Sequence, residues 1–264
     1  MVAFVAYSSN LIERVYGLFH FVRTMSNDLL NELEENGVSV QRGACTKKLS
    51  AECFDYISKN LEKYLALPGT MNSSSQKRHF LHVSTAPKFN TTHNPGHRSE
   101  FVLPIESQVD SVLRCILSGT VGTTLMKLLG ENAELSEITA IPSEPGAKSQ
   151  AMHSDGNWGP LQPRTMTMFL ALHNIQDEAM GPTYFCPKTH VPSCFPNNEW
   201  VPPTPTLDRG PVWYTLCAGD AVLMHSTTWH YGGANISDRN RVLLSFSFVA
   251  GEGGEDKLCL RNFL

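Results

Sequence analysis

The sequence predicts an α+β chain, with a helical first half followed by an antiparallel β-sandwich or barrel. Two observations carry this. Up to Gly130 the apolar residues recur at helical spacing, in stretches closed by caps and glycines. From Glu134 onward the texture changes to short alternating or apolar runs separated by Pro, Gly, Asn and Asp clusters. Helices first and strands afterwards fit α+β rather than repeated βαβ units. At 264 residues, 41% hydrophobic and 17% charged, the chain can bury a full core. No repeat or linker-like stretch divides it. One domain over 1–264 is therefore expected, with 1–133 mainly helical plus a loop, 134–250 the β core and 251–264 a tail.

The elements follow in order. Ser26–Asn36 reads as a helix: Ser26 caps it, Leu29, Leu30 and Leu33 form an apolar stripe, and Gly37 stops it. Val38–Val40 alternates like a short strand. A second helix runs from about Ser50 to Ala66, with Cys53, Phe54, Ile57 and Leu61 on one face, and ends at Pro68-Gly69. Met71–Pro104 is rich in Ser, Thr, Asn, Pro and His and reads as a long surface loop or a substrate-covering segment. Ser107–Leu117 and Thr123–Leu129 are two further helices. Ile138–Ile141, Thr165–Leu172, Tyr184–Cys186, Ala221–His225 and Arg241–Val249 are the strands.

Composition narrows the function. A formal net charge of −4 leaves no basic footprint, so nucleic acid is not the expected partner. The seven cysteines are scattered, with no C-x-x-C, as reduced thiols in an intracellular protein would be. Met1–Tyr7 is apolar, but no basic n-region precedes it and Glu13-Arg14 interrupts the run. The expectation is a cytoplasmic protein with no membrane partner. The oligomeric state is not legible.

The chemistry concentrates around Gln150–Asn157, which holds the only His-x-Asp, His153-Ser154-Asp155. In a strand, residues two apart share a face, so imidazole and carboxylate converge. Alone this is a weak motif. A second segment, His225–Asn235, offers two more histidines at or just past a strand end, and either His225 or His230 can be the third ligand. Two His and one carboxylate suit non-haem Fe(II) and leave positions open. A 2-oxo acid chelates two of them and leaves the third for O2. The third piece is Arg241. In the strand it opens, Arg241, Leu243, Ser245 and Ser247 share one face, and Val242, Leu244, Phe246 and Phe248 the other. A guanidinium on a polar wall answers the far carboxylate of such a cosubstrate with two parallel N–H···O bonds.

The combined order is H-x-D, then Asp220…His225…His230, then Asn235-Ile236-Ser237…Arg241, with Gly181-Pro182-Thr183 and Pro187-Lys188-Thr189-His190 between. It resembles the phytanoyl-CoA dioxygenase family of Fe(II)/2-oxoglutarate oxygenases, closely over Ile138–Val249 and more loosely over Leu30–Leu67. The resemblance implies a double-stranded β-helix, a jelly-roll barrel with the N-terminal helices packed on its larger sheet. It implies Fe(II) bound by His153, Asp155 and His230, the last because it stands eleven residues before Arg241. Arg241 would bind the distal carboxylate of 2-oxoglutarate and Phe169 would lie near that cosubstrate. Thr165 and Thr167 are candidates for a hydroxyl contact there, and Gln150 for flanking the near carboxylate. O2 is the co-reactant and hydroxylation of a small organic or lipid-like molecule the default outcome, with succinate and CO2 released. Retention of Asp155 argues against halogenation, because the family's halogenating relatives lack this carboxylate.

One departure stands out. Family members often carry Ser or Thr two residues after the last ligand, and this chain has Gly232. Either another hydroxyl substitutes or cosubstrate binding is weaker. A non-catalytic metal- or metabolite-binding barrel is the alternative that this departure supports. For substrate contacts, Lys77, Arg78, His79, His93, His97 and Arg98 are available to an anion, and Trp158, Trp213 and Trp229 to an apolar group.

Overall fold

The computed structural model describes residues 28–65, 88–90, 97–105, 107–156, 162–191, 193–194, 200–201, 210–251 and 259–263. Helical residues 28–36 (α1) stop at Gly37, whose φ of +75° takes the left-handed conformation that glycine adopts without strain. The stop is fixed in space as well. A Cβ on Gly37 would lie 2.4 Å from the His190 ring, and the Gly37 carbonyl accepts hydrogen bonds from His225 N at 2.9 Å and Thr228 Oγ1 at 2.8 Å. β1 (Val38–Gln41) follows, then α2 (Lys47–Leu65). α2 begins three residues before the expected start because Thr46 caps it, accepting from Leu49 N at 3.2 Å.

Two short strands, β2 (Lys88–Asn90) and β3 (Glu100–Val102), lie inside the stretch expected to be a surface loop. That expectation fails over its last residues. Phe101 and Leu103 are fully buried and β3 pairs with β4. A three-residue strand in a polar, proline-flanked context is too short to show alternation. α3 (Ser107–Leu117) and α4 (Thr120–Leu129) then meet at 77°. β4 (Glu134–Ser143), β5 (Thr165–Ala171), β6 (Thr183–Phe185), β7 (Ser193–Cys194), β8 (Trp200–Val201), β9 (Ala221–His225), β10 (His230–Gly232) and β11 (Arg241–Val249) complete the chain.

The strands form a larger and a smaller facing sheet, with β7 and β8 paired separately as a two-stranded ribbon. The larger runs β1-β9-β5-β11-β4-β3-β2, with every pairing antiparallel. The smaller is built on β10 and β6 and is extended by single bridges from His153 to His230 and from Phe185 to Val212. The alternation of β11 sorts the two cores. Val242, Leu244, Phe246 and Phe248 join Leu33, Ile57, Val109, Leu113 and Leu125 of the helices. Leu243, on the opposite face, joins Phe169, Phe185 and Val222 between the sheets. The helices thus cover one face of the larger sheet and the site lies behind the other.

Asp220 ties the entrance of β9 to the exit of β1. It accepts from Gly43 N at 2.8 Å, Arg42 Nη1 at 2.8 Å and Cys217 N at 2.9 Å. Burial pushes this carboxyl up, and the three donors outweigh that and hold it below the ordinary carboxylate range.

Candidate metal centre

The centre rests on a backbone bridge. His153 N donates to the His230 carbonyl at 2.9 Å and His230 N to the His153 carbonyl at 2.8 Å. Directly opposed residues of an antiparallel pair point to one face, which brings the two rings to 4.4 Å between centroids. Asp155 comes to them because its own N and Gly156 N both donate to the Ser226 carbonyl, at 2.8 and 2.7 Å. Asp155 Oδ1 then lies 3.8 Å from His153 Nε2, and Oδ2 3.6 Å from His230 Nε2. The ligand atoms of all three residues lie within 4.8 Å of one another.

Both imidazoles are oriented by the main chain. His153 Nδ1 lies 2.9 Å from the Ala151 carbonyl and His230 Nδ1 3.0 Å from the Thr228 carbonyl. A carbonyl only accepts, so each Nδ1 carries the proton and each Nε2 keeps a lone pair aimed at the common point. Imidazoles oriented this way through Nδ1, with one carboxylate, are a donor set for a divalent transition metal with open positions. The side chains are 31% (His153), 26% (Asp155) and 5% (His230) exposed, so one side of the centre is open to incoming molecules.

His225 is not part of this centre. Its ring stacks on His190 at 4.9 Å and its Nε2 has no hydrogen-bond partner among the described residues. Burial first, and then the electrostatic influence of His190 and Arg164, push its pKa down to about 3. The folded ring stays neutral over a range where the unfolded ring takes up a proton below about 6.5. Stability from this residue is therefore present above about pH 6.5 and is lost as pH falls, by up to about 1.4 kcal/mol per unit. In denaturant titrations of metal-free protein at pH 7 and pH 5, His225→Phe is expected to shrink the difference between the two pH values by up to about 2 kcal/mol.

Arg241 is 1% exposed and projects from the same face of β11 as Leu243. Its Nε has no protein partner among the described residues. Burial first, and then the charge of Arg98, push its pKa down to about 9. Asn235 fixes the turn that precedes it, with Nδ2 donating to the carbonyls of Ser143 at 2.7 Å and Arg239 at 2.8 Å. The Asn-x-Ser pattern is thus the brace that sets where β11 begins.

Phe169 stands beside the centre, 6.1 Å from the His230 ring and 6.2 Å from Phe185. With Phe185, Tyr214, Leu216, Val222 and Leu243 it lines an apolar cavity between the sheets. Thr167 Oγ1 lies 3.0 Å from Ser226 Oγ, so its hydroxyl supports the segment that holds Asp155. Thr165 anchors the same segment through its carbonyl, which accepts from Ser226 N at 3.0 Å. Gln150 brackets Gly232: its N donates to the Gly232 carbonyl at 2.9 Å and its Oε1 accepts from Gly232 N at 2.8 Å. Trp229 is half-buried, with its N donating to Thr189 Oγ1 at 3.0 Å. Arg78, His79 and Trp158 lie outside the described residues.

Arg98, named from sequence only as one of several cations open to an anionic substrate, is instead 4% exposed and inside the barrel beside Arg241. The signal that points to it is the missing side chain at Gly232.

Comparison with known proteins agrees with this geometry. The profile of a family described as phytanoyl-CoA dioxygenase (PhyH) matches residues 33–243. Dioxygenase af480 of Aspergillus fumigatus is 28% identical over 162 residues, which are 57% of this chain and 48% of that protein. The chain thus spans about half the length of this curated relative. Among solved structures, the epimerase SnoN in complex with Fe3+, alpha ketoglutarate and nogalamycin RO superposes with a TM-score of 0.58 at 17% identity, covering 86% of this chain and 84% of that one. EctD from S. alaskensis, with 2-oxoglutarate and 5-hydroxyectoine, gives 0.59 at 15% identity over 84% and 74%. Similarity at this level shows the shared fold, the jelly-roll of the double-stranded β-helix.

Proposed function

The chain belongs to the phytanoyl-CoA dioxygenase family, and on that premise we propose that it is an Fe(II)/2-oxoglutarate-dependent dioxygenase that hydroxylates a small organic molecule. The observation that carries the reading is the pairing of the His153, Asp155 and His230 cluster with a buried guanidinium, that of Arg241, which has no carboxylate partner among the described residues. A structural arginine in a core is normally matched by an acidic partner, and burying it unmatched is costly. A dicarboxylate that chelates the metal at one end supplies that partner at the other.

The residues divide the work. His153 and His230 present fixed lone pairs, and Asp155 adds the negative ligand. Arg241 would hold the distal carboxylate, and Phe169, Phe185 and Leu243, which line the apolar cavity, would keep water from the cosubstrate chain. When held by these residues, Fe(II) and 2-oxoglutarate would supply, with O2, the oxidation of a C–H bond, with succinate and CO2 as coproducts. The substrate approaches from the exposed side of His153 and Asp155. The nogalamycin and ectoine compounds bound by the structural neighbours support a small-molecule substrate class. Under air, with Fe(II) and a reductant, the purified protein is expected to form succinate from 2-oxoglutarate. A fully iron-loaded protein that forms none would refute the reading and favour a non-catalytic barrel.

A further inference from the structure

Resting on that oxygenase reading, we propose that His173 is the positioning residue for Arg241. Its imidazole holds the peptide that joins Arg241 to Val242, and so sets how tightly the distal carboxylate of 2-oxoglutarate is bound.

The ladder beside β11 leaves a gap that His173 fills. On one side β11 is paired from its first residue, Arg241 with Ser143 of β4. On the other side β5 stops at Ala171, opposite Leu243. Val242 therefore lies one residue beyond the last pair on that side. His173 Nε2 takes the place of the missing strand carbonyl and accepts from Val242 N at 2.9 Å. An interior N–H left without such a partner is costly.

The ring is set up as an acceptor. Its Nδ1 lies 3.1 Å from the Asn174 carbonyl, which only accepts, so the proton sits on Nδ1 and Nε2 keeps its lone pair. Burial first, joined by the charges of Arg241 and Arg239, holds its pKa below the ordinary imidazole range, although the Asn174 carbonyl acts the other way. Phe54 of α2 packs edge-on against the ring, 5.5 Å between centroids at 70°. Asn174 is tied to the entrance of β9, its Oδ1 accepting from Ala218 N at 3.0 Å. The imidazole is thus fixed both from α2 and from the turn that leaves β5.

This reaches Arg241 because a peptide unit is planar. The Val242 N–H, the Arg241 carbonyl and the Arg241 Cα move together. Asn235 braces the chain just before Arg241, through the Arg239 carbonyl, and His173 supplies the fixed point just after it. A buried guanidinium makes two parallel bonds to a carboxylate only when its stem is held in one geometry. His173 is no member of the metal-ligand cluster, so its influence falls on the charged end of the cosubstrate and not on the chelating end.

Calorimetric titration of Mn(II)-loaded protein with 2-oxoglutarate and with 2-oxopentanoate, which has the same chelating end and no distal carboxylate, tests this. His173→Phe keeps a ring against Phe54 and loses the acceptor. It is expected to weaken 2-oxoglutarate about threefold to tenfold, up to the worth of one neutral hydrogen bond, while 2-oxopentanoate changes by less than about twofold. His173→Gln offers an amide oxygen near the place of Nε2 and is expected to restore most of the preference for 2-oxoglutarate. A packing role alone predicts the reverse order, with Phe tolerated and Gln not. Comparing two ligands on one sample removes any loss of folded protein from the reading. A wild-type preference kept in His173→Phe, or lost equally in His173→Gln, would overturn this role and leave the oxygenase reading intact. A wild type with no preference for 2-oxoglutarate would overturn both.

Discussion

His230→Ala is expected to lower both iron retention and succinate formation by more than about a hundredfold. The loss of a group that merely supports a metal ligand costs about ten- to a hundredfold, and His230 is proposed as a ligand itself. It is also the most enclosed member of the cluster, bridged to His153 through both backbone hydrogen bonds and held by Thr228. His225→Phe provides the contrast. Its ring stacks on His190 and takes no part in the cluster of ligand atoms, so iron retention should match wild type. Metal analysis after desalting, with circular dichroism to check the fold, reads both. Equal iron in His230→Ala and wild type would remove that histidine from the centre.

Arg241→Ala is expected to raise the dissociation constant for 2-oxoglutarate by about 30-fold to several thousand-fold. Truncating one partner of a buried, hydrogen-bonded charge pair costs about 2–5 kcal/mol, and each 1.4 kcal/mol is tenfold in affinity. Iron binding should hold, because Arg241 is no part of the ligand cluster. At saturating cosubstrate, turnover should recover most of its wild-type value, since the lost interaction acts on binding. A KM for 2-oxoglutarate unchanged from wild type would show that another group holds the distal carboxylate.

Much of this was legible because it is local. The two faces of β11 follow from strict alternation, and the structure sorts Val242, Leu244, Phe246 and Phe248 to the helices and Leu243 to the interior. His153 and Asp155 are two residues apart and declare themselves. The choice between His225 and His230 was not local. Both sit at strand ends, and only the bridge from His153 to His230 across the smaller sheet separates them. Family spacing supplied that answer where periodicity left it open.

Arg98 was harder to read. It lies in a polar stretch before a three-residue strand, and its meaning depends on Ser143, forty-five residues on, and on an absent side chain at Gly232. A missing side chain in a packed interior implies that another group fills the space. Which group does so is a property of the fold.

The most direct test of the central claim is anaerobic titration of Fe(II) into the protein with and without 2-oxoglutarate, followed by visible absorption. A weak charge-transfer band is expected that appears only when both are present and saturates at one equivalent of iron. Bound iron with no band at millimolar 2-oxoglutarate would contradict it, leaving the fold as a metal-binding barrel without oxygenase chemistry.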